Sequence, residues 1–378
     1  MTIDFETIII GAGAMGSAAA YHLARDNRSV LLLEQFASGH TRGSSHGDSR
    51  IIRLAYDHPI YVELARSAYH LWAELESELH RALITTTGGL DMSAPDQPSF
   101  KLRVDALQQT GVPFEILDAA EIMRRFPQWH LSEKTVGVYQ ADSGILNPGE
   151  CVPLIAEQAM RRGAVLLDQT RVRLIHSIDH GVEVVTDGQS YKCKKLIISA
   201  GAWTGSLLKS IGVNLPLVVT QEQFAYYAVH PPADFQPDRF PVFIHYGSGG
   251  SFDNYGLPIF GHAGVKVGEH HAGPVVTADT RSFEIDQMRL ERLTHYVRMH
   301  LPDTTGEAFG VTSCLYTNTP DEHFIIDILP DHPQVIVASP CSGHGFKFSI
   351  LIGRILADLV ERGKTDYPIG MFGLKRFL

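Results

Sequence analysis

The chain of 378 residues has only four cysteines, Cys151, Cys193, Cys314 and Cys341, and no CxxC pair. That argues against a disulfide framework or a cysteine zinc site and for a reducing, cytoplasmic setting. No run of ~20 apolar residues occurs, so no membrane-spanning helix is expected. The opening MTIDFETIIIGAG lacks a basic region and a small-residue cleavage site, so a secretory signal is not expected either. Basic blocks are also missing. Lys and Arg number 32 against 42 Asp and Glu, a formal charge of -10. A nucleic-acid partner would need a basic face, so none is expected. A local cationic pocket in an acidic protein would still favour anionic substrates. Internal repeats, low-complexity segments and a long coiled-coil pattern are absent, which fits a monomer.

Hydrophobic residues make up 44% of the chain, enough for sizeable cores, and the length suits two domains. Thr7–Ile10 is a short apolar run that enters Gly11-Ala12-Gly13-Ala14-Met15-Gly16. Ser17–Arg25 then reads as a helix, and Val30–Leu33 as a second strand ending at Glu34. Apolar spacing through Leu64, Ala68, Leu71, Trp72, Leu75 and Leu79 predicts a helix over Pro59–Arg81. Gly149–Arg162 reads as a helix, and Thr135–Gln140, Val165–Leu167, Val182–Thr186 and Lys195–Gly201 as strands. Leu215–Leu301 alternates polar and aromatic residues and is glycine-rich at Gly247–Gly250, which predicts a mainly antiparallel sheet. Phe324–Ile328 and Val335–Ala338 read as strands, and Ser349–Glu361 as an amphipathic helix.

The strand, glycine loop, helix and following strand form a dinucleotide-binding unit. Gly11 permits the tight turn, Gly13 lets the backbone approach a pyrophosphate, and Gly16 allows close helix–strand packing. The helix start offers free N–H groups to phosphates, and Glu34 would accept from ribose hydroxyls. The motif alone does not separate FAD from NAD. Its position and the later Leu196–Trp203 element favour FAD.

Three further clusters bear on chemistry. In His46-Gly47-Asp48-Ser49-Arg50-Ile51-Ile52-Arg53, two arginines three apart can face one pocket, where guanidinium forks hold carboxylates. The alternative is a pair of surface salt bridges. In Ser342-Gly343-His344-Gly345-Phe346-Lys347, glycines let backbone come close to a planar ring, and a helix start with Lys347 would steady negative charge. A plain helix-entry loop is the other reading. The third cluster holds Cys314, and a lone cysteine is most often a small buried hydrophobe.

Taken together, GAGAMG, HGDSRIIR, AGAW, YGLP with GVKVGEH, CLYTNTPDEHFIID and SGHGFKFS resemble the monomeric sarcosine oxidase and N-methyltryptophan oxidase family from end to end of the chain. The resemblance implies FAD bound through an 8α-thioether to Cys314. Arg53 and Lys347 match the pair that holds a substrate carboxylate, and Arg50 and His46 match residues beside the flavin. Lys266 matches the lysine that promotes reaction with oxygen, and Tyr255 and His270 match pocket-lining residues. Read without the resemblance, Lys266 is a solvated charge and His270 an ordinary polar residue. The chain departs from the family at Cys341, where an apolar or aromatic residue is usual, and at Ser45 and Ser49, where His and Thr are common. Cys341 is thus a second thiol that could lie near the 8α-methyl group.

The expectation is therefore an α/β protein: a Rossmann-type FAD-binding domain with an inserted, mainly antiparallel-sheet substrate domain. The first would span 1–85, 147–214 and 311–378, and the second 86–146 and 215–310. Expected cofactor contacts are Gly11, Gly13, Gly16, Glu34, Ser44, Cys314, Gly343, His344, Gly345 and Lys347, with no metal. The implied activity is oxidation of a small N-methyl amino acid by O2, giving an imine, then aldehyde and amino acid, with hydrogen peroxide. A cyclic imino acid or a sugar–amino acid adduct is an alternative substrate, and a dehydrogenase an alternative type. An NAD enzyme or a non-enzymatic flavin-binding protein stands further off.

Overall fold

A computed structural model of the chain describes residues 3–247 and 252–377. Most of the glycine-rich stretch 247–250 lies outside the described residues. The first sheet is built around Phe5–Ile10, whose last four residues are buried. Its parallel neighbours are Val30–Leu33 on one side and Ser190–Ile198 on the other. Val165–Leu167 extends the sheet beyond Val30–Leu33, and His332–Ser339 beyond Ser190–Ile198, also in parallel. Runs such as Val30-Leu31-Leu32-Leu33, buried throughout, are what a sheet covered on both faces requires. Antiparallel Ile325–Leu329 closes one edge.

The helix Ala14–Arg25 is rich in alanine and is buried on almost every side. It packs between the sheet, the helix Pro148–Arg161 and the helix Ser349–Arg362. The last contact is so close that a Cβ on Gly353 would lie 2.4 Å from the Ala18 carbonyl carbon. The expected helices over 59–81, 149–162 and 349–361 are found as Pro59–Leu79, Pro148–Arg161 and Ser349–Arg362. The strand expected over 195–201 starts earlier and stops sooner, at Ser190–Ile198; Gly201–Trp203 is a 3-10 turn.

The second sheet has nine strands among the described residues. It runs from Val275–Val276 through Val218–Val229, Val265–His270, Asp253–Leu257, Val242–His245, Gly89–Ser93 and Val136–Gln140 to Glu115–Asp118. All neighbours along it are antiparallel except Val242–His245 with Gly89–Ser93. Against its apolar face lies the helix Gln287–His300, through Leu293 and Val297. That helix was not foreseen; its many charged residues mask a narrow apolar stripe. Thr304–Asn318 pairs with Val218–Val229 and so belongs to this sheet. The expected junction between 310 and 311 falls inside that strand, and we propose a junction after Asn318 instead. Among the described residues, no helix is long and apolar enough to cross a membrane.

Candidate active site

A cavity of about 610 Å3 runs between the two sheets, from Gly11, Gly13 and Glu34 at one end to Cys314, His344 and Lys347 at the other. Its volume suits a cofactor site. At the first end Gly11 has φ +100°, and a Cβ there would lie 2.6 Å from the Ser199 carbonyl oxygen. A Cβ on Gly16 would lie 1.8 Å from the Gly11 carbonyl oxygen, so only glycine lets this helix sit on this strand. Ser45 Oγ accepts from the Ala14 N–H at 3.0 Å. Glu34 accepts from the N–H groups of Ala12 and Phe36, each at 3.0 Å, and His40 Nε2 stands 3.3 Å away. Burial pushes its carboxyl up, but His40, Phe36 and Ala12 together hold it below its ordinary value. It is thus an anion ready to accept hydroxyl hydrogen bonds. Glycines without room for a Cβ, a helix start and this carboxylate fit the adenosine diphosphate half of FAD.

The HGDSRIIR segment forms the next wall. Arg50–Ile52 is a short strand against Gly144–Leu146, and Arg53 follows its end. The three-residue spacing therefore does not act through a helix, yet both arginines line the cavity. Arg50 donates to the carbonyls of Ser49 (2.9 Å), His46 (2.9 Å) and Ser44 (3.2 Å) and so fixes the loop. Ser44 Oγ donates to the Leu315 carbonyl at 2.6 Å, which ties that loop to the strand carrying Cys314. His46 is held neutral: burial, then Arg50, Arg281 and Lys266, push it down to about 4. Its Nε2 is buried with no hydrogen-bond partner among the described residues.

Two buried cations meet around Tyr56. The Arg53 guanidinium lies 4.7 Å from the ring centre, and Lys347 Nζ donates to the hydroxyl at 2.8 Å. Lys347 also donates to the His344 carbonyl at 2.9 Å. Arg53 donates to Asp91 Oδ2 at 2.6 Å and to the Tyr246 hydroxyl at 3.1 Å. Burial opposes the charge of Arg53, but Asp91, Tyr246 and Tyr56 together outweigh it and raise the pKa. Lys347 makes no ion pair among the described residues, and burial, then Arg53, against a weaker pull from Asp91, hold its pKa well below the ordinary value. An entering carboxylate would reverse that shift.

Lys266 is buried on the facing strand. It donates to the Ser49 carbonyl at 3.1 Å, and Nζ lies 4.0 Å from the centre of the Phe224 ring. Burial, then Arg50, lowers its pKa to about 7. Tyr255 lines the cavity beside it, its hydroxyl pKa raised by burial. His270 Nδ1 lies 3.4 Å from the Tyr316 hydroxyl, and burial, then His271, keeps its ring neutral. A Cβ on Gly343, at φ +80°, would lie 2.5 Å from the His270 ring. One on Gly345 would lie 1.7 Å from the Pro340 carbonyl oxygen. The SGHGFK loop is thus folded too tightly for side chains at either position. His344 is pushed down to about 3 by burial, then Lys347, and its ring stacks on Phe324 at 4.8 Å.

Both Cys314 and Cys341 face the cavity. Burial raises the pKa of each thiol. Against burial, Cys314 has Arg50, Lys266 and Arg281, whereas Cys341, pushed up to about 11, has only the Ser339 and Thr317 hydroxyls. Every site residue named from the sequence except Gly16 lines the one cavity. Sequence reasoning missed Tyr56, Asp91, Tyr246 and Arg281. A lone acid in the buried strand Gly89–Ser93 was the available signal for Asp91. Among the described residues no group of three or more metal-ligating side chains is present.

Comparison with known proteins gives the same picture. Residues 6–359 match the model of the FAD dependent oxidoreductase family. The chain is 35% identical to a monomeric sarcosine oxidase of Bacillus sp. (strain B-0618), covering 100% of this chain and 97% of that protein. It is 34% identical to the human peroxisomal sarcosine oxidase, over 99% and 96% of the two chains. With the N-methyl-L-tryptophan oxidase of Citrobacter koseri it shares 31% identity over 99% and 100%. Among solved structures, NikD, an amino acid oxidase of nikkomycin biosynthesis, superposes with a TM-score of 0.87 at 25% identity, covering 98% of each chain. An L-proline dehydrogenase from P. horikoshii gives 0.87 at 22% identity over 100% and 98%, a likeness of fold.

Proposed function

Because the chain belongs to the FAD-dependent oxidoreductase family, within the group of monomeric sarcosine oxidase and N-methyltryptophan oxidase, we propose that it oxidises a small N-methyl amino acid at the expense of O2. One observation carries the choice of an amino acid. Arg53 and Lys347 converge on Tyr56, and among the described residues Asp91 is the one carboxylate paired with either of them. Such a site takes a carboxylate.

In this reading the substrate carboxylate lies between Arg53 and Lys347. The same cations favour the neutral form of a nearby amine, whose lone pair drives oxidation. The carbon–hydrogen bond beside nitrogen is held toward the cofactor by this clamp. Bound FAD supplies the two-electron acceptor. His270 and His344 are neutral there and do not compete for the carboxylate as cations. The imine product hydrolyses in water, giving formaldehyde and the primary amino acid from an N-methyl substrate. Lys266 stabilises the negative charge that develops on O2. Cys314 would carry the flavin through a thioether: against burial and Glu222, the cations Arg50, Lys266 and Arg281 draw its thiol toward the thiolate, whereas the groups that draw on Cys341 are the Ser339 and Thr317 hydroxyls.

Two assays test this. The absorbance spectrum of the purified protein is recorded before and after acid precipitation. Yellow colour kept in the pellet of wild type and lost from Cys314→Ser is the expected result; loss only from Cys341→Ser would reassign the tether. In air, sarcosine or N-methyl-L-tryptophan should yield formaldehyde and peroxide in equal amounts. Turnover of proline with neither N-methyl substrate active would overturn the substrate class.

A further inference from the structure

Asp91 does not serve Arg53 alone. A second guanidinium, that of Arg103 on the helix Pro98–Thr110, brings its Nε to 3.3 Å from the same Oδ2. Arg103 is 2% exposed and Asp91 3%. The Arg103 guanidinium lies 4.0 Å from the centre of the Tyr246 ring, and the Tyr246 hydroxyl in turn accepts from Arg53 at 3.1 Å. Arg103 Nε and Nη1 have no hydrogen-bond partner among the described residues. Arg103 does not line the cavity, whereas Arg53 and Tyr246 do.

Burying a guanidinium with so few hydrogen bonds is costly, and two cations that share the oxygen of one buried carboxylate, with Asp253 as the next acid facing Arg103, are an odd way to stabilise a fold. It makes sense electrostatically. Asp91 fixes the direction of Arg53 through the 2.6 Å contact. If Asp91 paired with Arg53 only, the two would sum to zero charge, and Lys347 alone would draw the carboxylate. Arg103 draws on the same oxygen and restores one net positive charge to the trio. The face that Arg53 turns to the cavity therefore stays attractive to anions while its rotamer stays fixed.

We infer that Arg103 is a positioning residue for substrate recognition: behind the pocket, it shares Asp91 with Arg53 and so keeps Arg53 available to the substrate carboxylate. This rests on the reading of Arg53 as the carboxylate site. It requires no contact between Arg103 and substrate. It also distinguishes charge from packing, because the Asp91 and Arg103 substitutions shift the net charge of the trio in opposite directions. Arg103→Met takes the trio from one positive charge to zero. Asp91→Asn takes it to two. The double variant returns it to one.

The test uses the flavin-loaded enzyme at fixed pH and salt. Methoxyacetate, a carboxylate without an amine, is titrated against the flavin absorbance, with dimethylamine as a ligand that has no carboxylate. Arg103→Met should weaken methoxyacetate on the order of tenfold, as loss of one charge at this range implies. Arg103→Lys should recover most of that, and dimethylamine should be unaffected. In Asp91→Asn/Arg103→Met, methoxyacetate should bind more tightly than in Arg103→Met alone. A merely structural role predicts the reverse: the double variant is the weakest binder, and dimethylamine is affected equally. Arg53→Met separates the two levels of argument. If it leaves methoxyacetate affinity unchanged, the carboxylate site itself is wrongly placed. If it weakens binding and Arg103→Met does not, the inference about Arg103 alone falls.

Discussion

Lys266 has the most consequential environment of any single side chain here. It is 2% exposed, its hydrogen-bond acceptors among the described residues are Ser49 O and Oγ, and burial and Arg50 bring its pKa to about 7. Near neutral pH it therefore stands close to half-protonated. If its ammonium assists oxygen, the oxygen step should slow as pH rises through about 7 or somewhat above, because any anion brought beside an ammonium raises its pKa. Flavin reduction by substrate should not follow that curve. Lys266→Met should slow reoxidation at pH 7 by at least tenfold, remove this limb of the pH profile, and leave reduction nearly intact. Stopped-flow measurement of the two half-reactions checks it; equal slowing of both would show that Lys266 only shapes the pocket.

Among the elements, the contact between the first and last helices decides how well the phosphate end of the cavity is held. Gly353 is where Ser349–Arg362 touches Ala14–Arg25, and its missing side chain is what permits the approach. Gly353→Ala should push the helices apart at a cost of ~1–3 kcal/mol, as overpacking does. The expected readout is a lower urea midpoint at unchanged m. An unchanged midpoint would mean that the pair can slide to make room. The substitution leaves the Arg53 and Lys347 clamp in place, so methoxyacetate affinity should be kept. The helix Gln287–His300 makes the complementary point. Its mean composition is polar, and it stands as a helix because Leu293, Tyr296 and Val297 find an apolar sheet face.

For the whole molecule, the cavity is lined from both sheets: Ile10, Leu33 and Ala338 from one, Tyr255, Lys266 and Cys314 from the other. A group filling it joins the two halves and stabilises the native state by mass action. Cys314→Ser protein stripped of FAD should melt below the same protein reconstituted with FAD, and the difference should grow with FAD concentration. At 100 times the dissociation constant it amounts to about 2.7 kcal/mol. Identical melting curves would mean that FAD does not occupy this cavity.

The sequence by itself determined the dinucleotide unit. The glycine loop, its flanking strand and helix, and Glu34 lie within one short stretch, where turn sterics, helix phase and strand burial are local properties. It also named Arg53 and Lys347 as anion-binding groups, and the resemblance carried by widely separated segments joined them into the proposed clamp. Only the tertiary structure decided what those residues do to one another. Asp91 reaches Arg53 across 38 positions of sequence, and Lys347 reaches Tyr56 across 291. Arg50, a charge like Arg53 when read along the chain, turns out to be occupied with three loop carbonyls. Strand pairing likewise assigned Thr304–Asn318, and Cys314 with it, to the second sheet. The physical reason is common to all of these. Charge pairing, desolvation and strand register are set by distances between groups far apart in the chain, and those distances exist only once both cores have formed.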